Sequence, residues 1–82
     1  MSKDILIGAY KILRKMGAEQ GEIKLETNFY SDLFFDETDR TCLLFFIESR
    51  FNIDVTDQEA ENMHTVNDML KIVSSHKAAL LN

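Results

Sequence analysis

Proline and tryptophan are absent from this 82-residue chain, glycine occurs three times and cysteine once. With so few breakers, a few helices joined by loops are favoured over many short strands. The single cysteine, Cys42, excludes an intramolecular disulfide and fits a reducing compartment. No apolar run is long enough to cross a bilayer. Asp4, Lys11, Arg14 and Lys15 interrupt the start of the chain too often for a signal peptide. The expectation is a soluble, cytoplasmic protein with no membrane insertion. A basic stripe is missing too. Net charge is −5, and from Asp32 to Glu61 nine acids face only Arg40 and Arg50. Phosphate backbones are repelled by such a segment, which argues against nucleic acid and suits a basic protein partner.

What is present is apolar periodicity. Residues making up 45% of the chain are hydrophobic, enough for one small core, so the expectation is a single domain spanning 1–82. Ile5, Leu6, Ala9, Ile12, Leu13 and Met16 recur on one face of a helix over 4–16, with Ser2 as N-cap and Gly17 as the stop. A long connection follows over 17–35, pinned by the apolar anchors Ile23, Leu25 and Phe29. Ile23 and Leu25 alternate as in a strand, but no second strand is there to pair with, so a strand is rejected. Asp36 caps a second helix that runs to about Phe51, and Glu37 and Asp39 suit the positive end of its dipole. Asn52 suits a left-handed stop, and Ile53-Asp54-Val55 is a short extended link. A short third helix covers Asp57 to Asn62. Thr65 and Asp68 form a capping-box pattern ahead of a fourth helix bearing Val66, Met69, Leu70, Val73 and Leu80 on one face. The expected core includes Ile12, Phe29, Leu44, Ile47, Phe51, Val66 and Leu70.

The ordered motifs resemble the acyl carrier protein family. Ile23-Lys24-Leu25-Glu26-Thr27-Asn28-Phe29 is similar to its I-T-P-E-A-S-F, and Asp32-Leu33-Phe34-Phe35-Asp36-Glu37-Thr38 to D-L-G-A-D-S-L. Ile47 to Val55 resembles L-E-E-E-F-G-I-E-I, and Asp57 to Val73 carries counterparts of D-E-D-A-E and T-V-G-D. The match is gapless from Ile23 to Val73. It implies an all-α, four-helix bundle with a long loop between the first two helices and a short third helix. It also implies a serine at the start of the second helix that accepts a phosphopantetheine arm, the thiol of which carries acyl groups. Here that serine falls on Glu37, and a carboxylate cannot hold the arm as a stable phosphodiester. The expectation is an unmodified protein without phosphopantetheine, a non-carrying relative that interacts with a synthase or transferase of lipid or polyketide-type synthesis. Two alternatives stand beside it. One is a genuine carrier modified at another hydroxyl, Thr38 or Thr41 in a slipped register. The other is a binder of small apolar ligands.

The second helix has two sides. Leu43, Leu44, Ile47 and Phe51 group as a core face, while Thr38, Thr41, Cys42, Phe45 and Ser49 face outward without a charge. Phe34 and Phe35 stand where the family pattern has its glycine and alanine, near the same end. The phenylalanines at 34, 35 and 45 either make an aromatic docking patch, or Phe34, Phe35 and Phe46 fill the space a carrier keeps for its acyl chain. Chemistry is otherwise sparse. His64 and His76 have no carboxylate or cysteine at ligand spacing, so no metal is expected, and His76 is placed on the helix surface. Cys42 lacks a histidine or cysteine partner in sequence. No catalytic residue is assigned, the chain is not expected to be an enzyme, and a monomer is expected in isolation.

Overall fold

The computed structural model describes residues 2–81, with side chains described through residue 78. Four α-helices follow in order: α1 (Lys3–Lys15), α2 (Glu37–Phe51), α3 (Asp57–Glu61) and α4 (Val66–Leu81). The first, second and fourth are long; the third is little more than a turn. No strand occurs among the described residues. α1 packs against both α2 and α4. The shared core contains Ile5, Ile12, Leu13, Phe29, Leu43, Ile47, Met63, Met69, Leu70 and Val73.

Each helix begins at a side chain that occupies backbone N–H groups the helix itself leaves unpaired. The Ser2 hydroxyl accepts from the Asp4 amide at 3.2 Å. Asp36 accepts from the Asp39 amide at 2.8 Å, and Asp39 accepts in return from the Asp36 amide at 3.0 Å, a complete capping box. Thr56 and Glu59 make the same exchange ahead of α3, as do Thr65 and Asp68 ahead of α4. Chain reversal uses left-handed residues: Gly17 has φ 100° after α1 and Asn52 has φ 55° after α2. Both stops, Ser2, Asp36 and the Thr65–Asp68 pair match the sequence expectation. The Thr56–Glu59 pair and a short 3₁₀ turn at Gln20–Glu22 do not appear in it.

Three expectations about packing need correction. Leu44 is half-buried, because the turn of α2 puts Leu43, Ile47 and Phe51 against the core and leaves 44 at its edge. Leu25 is not an anchor: its side chain is 55% exposed, while Phe29 is fully enclosed. His76 is not a free surface histidine, since its Nε2 lies 3.0 Å from Glu59, tying α4 to α3. The rejected strand has a residue-scale counterpart, a single antiparallel bridge between Asn28 and Thr65. The expected Leu80 contact lies outside the described side chains.

The loop is held by its backbone. The Phe29 amide donates to the His64 carbonyl at 2.9 Å, and the Val66 and Asn67 amides donate to the carbonyls of Thr27 and Leu25 at 3.0 and 2.9 Å. Two amides that α4 leaves unpaired are thus satisfied by the loop. Thr27, the buried polar residue of this stretch, donates its hydroxyl to the Glu22 carbonyl at 2.6 Å and accepts from the Lys24 amide.

Candidate functional site

Packing against α1 and α4 leaves one side of α2 in solvent. Thr38, Thr41, Cys42, Phe45 and Ser49 are all exposed, as the helical spacing predicts. Phe45 is 63% exposed and meets the half-buried Phe46 edge-on, with ring centroids 6.0 Å apart. Phe46 in turn lies 4.8 Å from the Lys15 ammonium, so its ring is covered from α1 by a cation. Glu48 borders this face, but its carboxylate accepts from the Val55 amide at 3.0 Å and holds the link that follows α2. Its charge serves the fold as well as the surface.

The entry to α2 is a tightly wound turn. Asn28 organises it: its side-chain oxygen accepts from the amides of Tyr30 and Ser31 at 2.9 and 3.0 Å, and its carbonyl from those of Asp32 and Leu33. The Phe35 amide then closes the turn on the Phe29 carbonyl at 2.9 Å. To make that closure Phe34 adopts φ 58°, a region a bulky L-residue seldom occupies. Its ring is 82% exposed. A strained backbone and an uncovered aromatic thus coincide at one residue. Phe35 goes the other way: half-buried, it stacks on Phe29 at 5.9 Å with ring planes 7° apart. The three phenylalanines expected to act together therefore separate, with Phe34 and Phe45 outward and Phe35 packed inward. Phe46 packs at the edge of α1 and α2. Phe34 fills no interior space.

Glu37 is the first residue of α2 and is exposed. The first two turns of this helix contain Glu37, Thr38, Asp39, Arg40 and Thr41, and no serine. Thr41 donates its hydroxyl to the Glu37 carbonyl at 3.0 Å, which turns it back onto the helix. Ser31 sits in the turn before the helix and Ser49 in its last turns. Cys42 is an exposed free thiol. Among the described residues no three His, Cys, Asp or Glu side chains converge as they would around a metal.

Comparison with known proteins decides the family. An acyl carrier protein of Prochlorococcus marinus (strain MIT 9515) is 33% identical to this chain over 66 residues, 80% of this chain and 82% of that relative. The chain belongs to the acyl carrier protein family. No family model matches it. The helical order found here fits that membership, and the uncharged, aromatic face of α2 is the feature of this family member that most needs a functional account. Sequence periodicity located that face. It did not reveal the left-handed Phe34, although the glycine of the resembling pattern at that position was the available signal. Nor did it reveal an apolar groove beside α1, because the Leu6 and Leu25 side chains lining it look like core residues in a helical or alternating pattern.

Proposed function

We propose that this acyl-carrier-family chain carries no acyl group and acts by docking a protein partner, a synthase or transferase of an acyl pathway, through the outward face of α2. The observation that carries the reading is that face itself: exposed, uncharged, centred on Phe45, and led into by a helix start without a serine. Phosphopantetheine attachment needs a hydroxyl nucleophile. The residue we assign to the attachment position, Glu37, offers a carboxylate, and the Thr41 hydroxyl is tied to the helix backbone. Exposed aromatic side chains that no part of the fold covers are the anchors from which interfaces draw most of their energy. The protein is then cytoplasmic and has no catalytic residue of its own. In support, no helix among the described residues is long and apolar enough to cross a membrane.

The test is intact-mass measurement after incubation with coenzyme A and a broad-specificity phosphopantetheinyl transferase. The wild type is expected to stay unmodified. Glu37→Ser alone is expected to restore little modification, because Thr38 stands where the family pattern has leucine. Adding Thr38→Leu with acids at Cys42 and Ser49 is expected to raise it. A pantetheine arm on any residue of the unmutated protein would make the chain a genuine carrier and overturn the proposal.

A further inference from the structure

A second apolar surface lies on the opposite flank of α1, away from α2. Leu6, Ile7 and Tyr10 of α1 are exposed although each is large and apolar, and Leu25 faces them from the pinned loop. Between these walls runs a groove of about 520 Å³, floored by the buried Val66 and Leu70 of α4. Among the described residues, four of the six exposed large hydrophobic side chains therefore border one concavity; the other two are Phe34 and Phe45. Such clustering is not what scattered surface leucines produce. The wall is also firm. Leu25 is held by the hydrogen bond from Asn67 to its carbonyl, and the Tyr10 hydroxyl accepts from Arg14 at 3.2 Å.

The charged side chains that line the groove have one sign. Lys11 and Lys24 line it, both are exposed, and neither has a carboxylate within ion-pair distance among the described residues. In a chain of net charge −5, two cations beside an apolar groove select an occupant with an apolar body and a negative end. The size favours a small molecule: the volume is that of a ligand cleft, whereas a stable protein interface takes about 800 Å² from each partner, well beyond six exposed lining residues.

We infer that the groove between α1, the Ile23–Leu25 segment and α4 binds a single-chain anionic amphiphile, a free alkyl carboxylate, non-covalently. The chain lies along Leu6, Ile7, Tyr10 and Leu25 over Val66 and Leu70, and the carboxylate meets Lys11 and Lys24. The site is separate from the α2 face and holds whether or not that face docks a partner.

The experiment is an NMR titration of the ¹⁵N-labelled full chain with dodecanoate below its micellar concentration. Expected are saturable shifts centred on Leu6, Ile7, Tyr10 and Leu25, with dodecyltrimethylammonium binding weaker by about tenfold or more. The double variant Lys11→Glu/Lys24→Glu keeps its helical circular dichroism and loses dodecanoate affinity by about tenfold or more. Lys71→Glu, a single charge reversal on an exposed α4 residue that lines a different surface hollow, leaves affinity within about twofold. Equal affinity for the two amphiphiles, shifts centred elsewhere, no saturable binding, association of the free protein through this groove, or binding only to phosphatidylglycerol vesicles would each overturn the inference.

Discussion

Two residues show how closely this fold is set by backbone demands. Phe34 stands in the left-handed region that glycine enters freely and an L-residue enters at a cost of about 1–2 kcal/mol. Its ring makes no aromatic pair among the described residues and is 82% exposed, so burial does not offset the strain. Replacement by glycine should remove the strain, and replacement by alanine should keep it. Phe34→Gly is expected to be more stable than Phe34→Ala by about 1 kcal/mol in urea denaturation, even after the added freedom of the unfolded glycine chain. Equal stability of the two variants would mean that no strain is stored there. Gly8 presents the opposite case, a glycine inside a helix where alanine would ordinarily gain about 1 kcal/mol. A Cβ at Gly8 would stand 2.7 Å from the Phe51 ring and 2.9 Å from Arg50 Nε. Arg50 is exposed and can swing away, but the Phe51 ring is buried between α1 and α2. Overpacking of this kind costs about 1–3 kcal/mol, which outweighs the propensity gain. Gly8→Ala is expected to lower the urea midpoint, and a raised midpoint would show that α1 and α2 can separate at little cost.

At the scale of elements, the capping boxes explain both where helices start and how the fold responds to acid. Burial pushes the Asp68 carboxyl up, but the backbone amides of His64 and Thr65, the Thr65 hydroxyl and the His64 charge together outweigh it and hold its pKa below the ordinary value. The backbone amide of Thr56 and the side chain of His76 lower that of Glu59. A lowered carboxyl pKa in the folded state means that the unfolded chain binds the proton more readily. The stability each contributes is therefore present above the unfolded value and lost as pH falls through the lowered folded one. Asp68→Ala is expected to cost about 1 kcal/mol at pH 7, as loss of a cap does, and the difference from wild type is expected to narrow in acid, below the folded value. A gap that persists there would assign the loss to packing. These starts and stops were legible in the sequence because a cap is a local event, fixed by Ser2, Asp36, Asn52 or the Thr65–Asp68 pair within a few residues. Exposure was less so. Leu25 and Leu44 carry the same apolar signal as their buried neighbours, and only the packing of α1 and α4 decides which of them is covered. The pairing of His76 with Glu59 was illegible for the same reason: 17 residues of chain separate them, and the α3–α4 turn brings them together.

At the scale of the whole molecule, the acids and the uncharged face of α2 should act on different steps of association. The acids concentrated from Asp32 to Glu61 attract a basic partner over distances of about a Debye length, which governs how fast it arrives. The contact we propose is uncharged, centred on an exposed phenylalanine, and should govern how long the partner stays. Phe45 contributes little to the fold, being 63% exposed and touching Phe46 only edge-on. Phe45→Asp is accordingly expected to shift folding stability by no more than about 0.5 kcal/mol. In surface-plasmon titrations against synthases and transferases of acyl pathways, loss of an aromatic anchor is expected to weaken binding by about 2 kcal/mol or more, roughly thirtyfold, chiefly through faster dissociation. Raising the salt concentration should slow association and leave dissociation nearly unchanged, because the rim carries the charge and the centre does not. An aspartate at 45 that unfolds the protein would place this ring in the core. One that leaves dissociation unaltered would remove α2 from the interface, whatever partner is found.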